Sequence, residues 1–115
     1  MRNIRLIKYK LNVYAQVDAQ MDEITAYFVN EAKLPSTAKM LLKAIQQAMH
    51  SLKVMPDRIP LVREEPWRSK GIRRMMAKNY AIYFWIDEAA RLVNIVAVIY
   101  GKCDQGARLS EVDFS

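Results

Sequence analysis

The sequence holds one cysteine, Cys103, and one histidine, His50. A single cysteine cannot close an internal disulfide and cannot by itself make a metal site, so the expected compartment is the reducing cytoplasm, and no metal or cofactor is expected. Only 3 glycines and 4 prolines occur in 115 residues, and nothing repeats, which excludes low-complexity and linker-rich chains. Long apolar runs are missing too. Leu92 to Tyr100 is the longest uncharged one, and a membrane-crossing helix needs roughly 20 residues. The opening MRNIRLIKYK places a charge at every second or third position, so neither a signal peptide nor a membrane span is expected there. Acids are absent from Pro66 to Ile86, the stretch that carries Arg68, Lys70, Arg73, Arg74 and Lys78.

What is present is an ordinary globular composition, 52% hydrophobic and 26% charged. A chain of this length forms one domain, residues 1–115, able to bury about two-thirds of its unfolded surface; residues 103–115, with two glycines nearby and mixed polarity, read as a tail. The net charge of +6 favours an anionic partner, and the clustering of Arg58, Arg63, Arg68, Lys70, Arg73, Arg74 and Lys78 within one third of the chain strengthens that reading.

Apolar periodicity divides the chain into elements. Ile4 to Ala15 alternates, with Ile7, Tyr9, Leu11 and Val13 on one face, as a half-buried strand does. Asp18 is a candidate helix cap, and Met21, Ile24, Tyr27 and Phe28 follow at helical spacing to about Ala32. Pro35 or Ser36 opens a second helix whose stripe is Ala38, Leu41, Leu42, Ile45, Ala48, Met49 and Leu52. Pro56, Pro60 and Pro66 make Val54 to Arg68 an irregular connection. Gly71 to Lys78 is a basic strand; Tyr80 to Ile86 and Leu92 to Tyr100 are strands rich in aromatic and β-branched residues, joined by a polar hairpin at Asp87 to Arg91. The order is β-α-α-β-β-β, an α+β fold. It predicts an antiparallel sheet of about four strands with an antiparallel helix pair on one face and the first strand at an edge or beside the last.

This order resembles the RelE/ParE superfamily of type II toxin–antitoxin toxins over nearly the whole chain. The resemblance is carried by Ala19, Met21, Asp22, Ile24 and Tyr27; by Pro35, Ala38, Leu42, Ile45, Met49, Leu52 and Pro56; and by Gly71-Ile72-Arg73, Tyr80, Asp87-Glu88 and Val96 to Tyr100 leading into Gly101-Lys102-Cys103-Asp104. It implies a toxin neutralised by a cognate antitoxin in a hetero-oligomer, with no membrane partner. RelE-like members cleave mRNA on the ribosome, whereas ParE-like members poison DNA gyrase and are not nucleases; an inactive, antitoxin-binding descendant is a third possibility on one fold.

Metal-free RNA cleavage needs the 2′-oxygen deprotonated, the leaving oxygen protonated and the phosphorane stabilised, which Arg, Lys and Tyr can do. On the RelE-like reading the catalytic residues are Arg73, Arg74, Tyr100 and Lys102, and Arg68, Lys70, Lys78 and Tyr83 bind substrate, with Tyr83 an alternative proton donor. Arg73 and Arg74 are adjacent, so they point to opposite faces of a strand. Arg73 is as well explained by an ion pair to Glu64, Glu65 or Asp104. Ala81 and Cys103 stand where these nucleases commonly carry basic residues. The acid-free run tips the expectation towards mRNA cleavage, with gyrase inhibition as the alternative. His50 reads as a helix-surface residue, Cys103 as a small, partly buried one, and the seven methionines as core gap-fillers. Trp67, Trp85 and Tyr27 are candidates for a partner surface if exposed.

Overall fold

In the computed structural model, residues 8–102 and 105–112 are described, with only the backbone given for 105–107. Strand β1 (Lys10–Val13) leads into helix α1 (Ala15–Ala26), which continues as a π-helical turn over Tyr27–Glu31. Helix α2 (Pro35–Ser51) has Pro35 in its first turn, where a missing N–H is harmless. A connection with one 3-10 turn (Pro56–Arg58) reaches β2 (Arg73–Ala77), β3 (Tyr80–Asp87) and β4 (Leu92–Tyr100), and a short α3 (Gln105–Ser110) follows.

The four strands lie in the order β1-β4-β3-β2. β2, β3 and β4 form the expected antiparallel meander, but the sheet as a whole is mixed, because β1 runs parallel to β4 with Lys10 opposite Leu92 and Val13 opposite Ile95. The helix pair is the reason. It serves as the crossover that carries the chain over one sheet face to the far edge, so the meander starts at β2 and its third strand returns beside β1 in the same direction.

The faces differ in what covers them. Ile45, Met49, Leu52, Val17 and Ile24 of the helices pack on Ile82, Phe84, Val93, Ile95 and Val98. Val62, Trp67, Ile72, Leu109 and Val112 cover Ala81, Tyr83, Ala97 and Ile99 on the other side. The segment read as a tail is therefore partly a core element, since Leu109 is 2% exposed. A helix of six residues with one buried leucine is too short for periodicity to reveal. α1 also begins earlier than Asp18, after Tyr14, which offers no side-chain cap. Three methionines are not core: Met40, Met55 and Met76 are each more than half exposed.

Past Val13 the β4 edge has no partner strand, and α1 supplies a substitute. Gln16 Nε2 donates to the Val96 carbonyl at 2.6 Å, and the Val98 N–H donates to Gln20 Oε1 at 2.7 Å. Residues four apart share a helix face, so the two amides together imitate a strand edge. A buried N–H left without an acceptor costs about 1–3 kcal/mol. Gln20→Leu should therefore destabilise the fold by about that amount and speed hydrogen exchange at the Val98 amide; unchanged exchange there would mean the glutamine is not what satisfies the strand.

Candidate functional site

Of the seven basic residues in 58–78, three are engaged by the connection between α2 and β2. That connection carries Pro56, Pro60 and Pro66 and leaves carbonyls without ladder partners. Arg58 Nη1 donates to the Val54 and Met55 carbonyls at 2.7 and 3.0 Å, and its Nη2 donates to Ser51 Oγ at 3.1 Å, closing the C-terminal end of α2. Arg68 Nη1 donates to the Val62 carbonyl at 3.2 Å. Arg73 Nη1 donates to the carbonyls of Asp57 and Ile59. Arg73 is thus tied to backbone carbonyls and not by the expected ion pair to Glu64 or Glu65; Asp104 lies outside the described residues.

Alternation along β2 separates the two adjacent arginines. Arg73 pairs across from Phe84 on the helix-covered face, and Arg74 from Tyr83 on the opposite face. Arg74 is exposed, and its guanidinium hydrogen-bonds to the Tyr83 hydroxyl. Burial pushes the Tyr83 phenol above its ordinary pKa, and the Arg74 hydrogen bond and charge oppose that rise only in part. Tyr83 itself is fully buried, so it reaches a ligand only through Arg74.

A second group gathers at the far end of the sheet. Tyr100 stands opposite Tyr80 on the helix-covered face, the two rings 5.4 Å apart. Lys78, at φ 54, occupies the β2–β3 turn rather than the strand itself, and Lys102 sits in the turn after β4. The Gly101 N–H donates to the Asn79 carbonyl at 2.7 Å, which brings these two turns together. A side chain at Gly101 would meet that same oxygen at 3.0 Å, so glycine is what permits the approach. Lys78, Tyr100 and Lys102 are thus neighbours, while Arg74 lies about 13 Å from Lys78 along β2 and on the other face from Tyr100. Lys70 is exposed in the turn before β2.

The remaining candidates divide similarly. His50 is exposed at the end of α2 and Cys103 lies outside the described residues. Trp67 and Trp85 are half-buried in the second-face core, and Asp87-Glu88 is a turn in which Glu88 accepts from the Tyr9 hydroxyl at 2.6 Å and meets Arg91 at 3.5 Å. Tyr27, by contrast, is 56% exposed at the end of α1 and lines a depression with Tyr80, Tyr100 and Arg108, while Leu34 and Met40 are exposed at and on α2. Periodicity alone could have marked Met40, which falls off the α2 stripe. Among the described residues, no group of three His, Cys, Asp or Glu is placed to hold a metal, and no helix is long and apolar enough to cross a membrane.

With this geometry in view, comparison places the chain among known proteins. Residues 12–104 match the family model for the ParE toxin of type II toxin–antitoxin system, parDE. Two solved structures share the fold. The chromosomal ParDE toxin–antitoxin system from P. aeruginosa aligns at a TM-score of 0.62 and 15% identity, covering 81% of this chain and 96% of that one. The RelBE2 toxin–antitoxin complex from Mycobacterium tuberculosis aligns at 0.58 and 18%, covering 85% and 97%. No curated protein sequence matches significantly.

The two arginines should respond differently to mutation. Arg73→Ala removes charged donors from two carbonyls and should destabilise the protein by about 2 kcal/mol, whereas Arg74→Ala should cost less than half of that and raise the Tyr83 pKa further. Because the folded Tyr83 pKa lies above its unfolded value of about 10, its contribution to stability is complete below that pH and lost as pH rises through the folded value. Tyr83→Phe should flatten this alkaline decline in chemical denaturation; an Arg74→Ala variant less stable than Arg73→Ala would reverse the assignment.

Proposed function

From the premise that the chain belongs to the ParE toxin family of type II toxin–antitoxin systems, within the RelE/ParE superfamily, we propose that it arrests growth by binding DNA gyrase and does not cut RNA. The observation that carries this reading is that Arg73 and Arg74 stand apart from the Lys78, Tyr100 and Lys102 group with which an RNA-cleaving site would need them to converge. Arg73 is bound to backbone carbonyls, Tyr83 is enclosed, and Arg74 and Tyr100 occupy opposite faces of the sheet. Proton transfer needs its donor and acceptor within hydrogen-bond reach of one substrate, and near-attack geometry tolerates errors of about 1 Å. Binding a protein demands no such convergence, since a few exposed anchors within a complementary surface suffice.

The exposed apolar residues of the helix hairpin, Tyr27, Leu34 and Met40, form the surface proposed for the cognate antitoxin. An amphipathic partner helix would seat its apolar face there, and methionine adapts to such partners. Tyr27 also lines a depression of about 190 Å³ with Tyr80, Val98 and Tyr100 at one end of the sheet, while Met40 lies off the buried stripe of α2.

Purified gyrase and supercoiled plasmid test both parts in one assay. The protein should cause gyrase-dependent plasmid cleavage or block supercoiling, and the antitoxin encoded beside it should reverse the effect. Tyr27→Asp should preserve the inhibition and weaken its reversal by at least tenfold, which corresponds to about 1.4 kcal/mol of antitoxin affinity. Unaffected gyrase, together with codon-aligned mRNA cuts by primer extension in induced cells, would replace this reading with RNA cleavage; undiminished reversal with Tyr27→Asp would move the antitoxin elsewhere.

A further inference from the structure

A second basic feature lies away from the arginine-rich connection, where β1 meets the end of α2. Lys8, Tyr9, Lys10, Leu11 and Lys53 line an open notch of about 520 Å³ with no carboxylate among them. Its walls are fixed by backbone pairing: the Tyr9 N–H donates to the Lys53 carbonyl at 2.8 Å, and Lys8 bridges to Val54. Lys8 and Lys10 are exposed, and Lys53 is half-buried. The acid nearest to Tyr9, Glu88, is occupied by the Tyr9 hydroxyl and by Arg91, so it does not offset the lysines.

We propose that this notch binds the sugar–phosphate backbone of a nucleic-acid duplex. Three ammonium groups around one concavity make a local field that a scattered surface of the same net charge would not. Lys8 and Lys10 alternate with Tyr9 and so stand about 6.6 Å apart along the chain. That is comparable to the through-space separation of neighbouring phosphates on one duplex strand, which the winding of the backbone makes larger than its roughly 3.4 Å axial rise. Lysine, a compact point charge, holds phosphate without the guanidinium fork that serves carboxylate and phosphate alike, and a regular row of phosphates suits lysines at strand spacing. The neighbouring guanidinium, Arg91, is already placed 5.8 Å over the Tyr9 ring and against Glu88. DNA and RNA duplexes share this backbone chemistry, and the inference stands apart from the choice of gyrase as target.

Fluorescence anisotropy of labelled 20-base-pair DNA and RNA duplexes, across a salt series, tests it. Each neutralised phosphate contributes about −0.9 to the slope of log K against log salt. The triple variant Lys8→Gln, Lys10→Gln, Lys53→Gln should reduce that slope by about 2 to 3 and weaken binding by at least tenfold, with an unchanged far-ultraviolet spectrum. If that variant fails to fold, the double variant Lys8→Gln, Lys10→Gln should still reduce the slope by about 2. Removing the same charge from the helix hairpin, through Lys33→Gln, Lys39→Gln, Lys43→Gln, should change the slope far less. Tighter binding of one duplex identifies DNA or RNA as the source. An unchanged slope in the notch variants, an equal loss in the hairpin variant, or displacement of both duplexes by polyglutamate at equal charge would overturn the proposal.

Discussion

Strand β4 can be buried from Val93 to Ile99 only because every direction around it is occupied. β3 takes one edge, and β1 takes the first half of the other. Gln16 and Gln20 complete that second edge from α1, where a further strand would otherwise be needed. Helices cover one face, and the Trp67 loop with Leu109 covers the other. A strand enclosed in this way holds its backbone polar groups away from water, so each must find a partner inside the protein. The parallel placement of β1, the position of α1 and the docking of α3 all answer that one demand.

The same demand accounts for the arginines. A connection broken by three prolines satisfies only some of its carbonyls with its own turns, and the guanidinium groups of Arg58, Arg68 and Arg73 bond to others. Five donors on a planar, permanently charged group suit this role. Basic density along the sequence therefore overstates the positive surface left for a polyanion. Three of the seven basic residues in 58–78 are thus engaged in holding the connection, which supports the proposed protein target. The three lysines of the β1 notch, two from the basic opening of the chain and one from just after α2, keep their charge available.

How much of this was legible depends on the range of the interactions involved. The α2 stripe from Ala38 to Leu52, the Pro35 start and the Asp87 to Arg91 hairpin are set by neighbours within a few residues, and the structure places them as their spacing implies. The family resemblance, resting on that same order, holds across residues 12–104. The parallel pairing of β1 depends on the net path of two helices and a long connection, which no local pattern encodes. Whether Arg73 meets a phosphate or a carbonyl was equally hidden, because alternation decides that Arg73 and Arg74 part but not what waits on each face. Lys8 and Lys53 are 45 positions apart and are brought together by the Tyr9–Lys53 backbone bond and the Lys8–Val54 bridge. Cys103 remains among the residues outside the described structure.

Whether toxicity comes from a binding surface, as proposed, or from general acid–base chemistry is decided at Tyr100. Tyr100→Phe keeps the ring beside Tyr80 and removes only the hydroxyl; Lys102→Ala in the same chain removes the adjacent cation. Loss of viability after induction of this double variant, with soluble expression verified, should stay within about tenfold of the parent, because binding energy is distributed over many contacts. A fall of about 10²–10⁴-fold, the usual consequence of deleting a proton-transfer group, in a variant that still folds and binds its antitoxin would contradict the account.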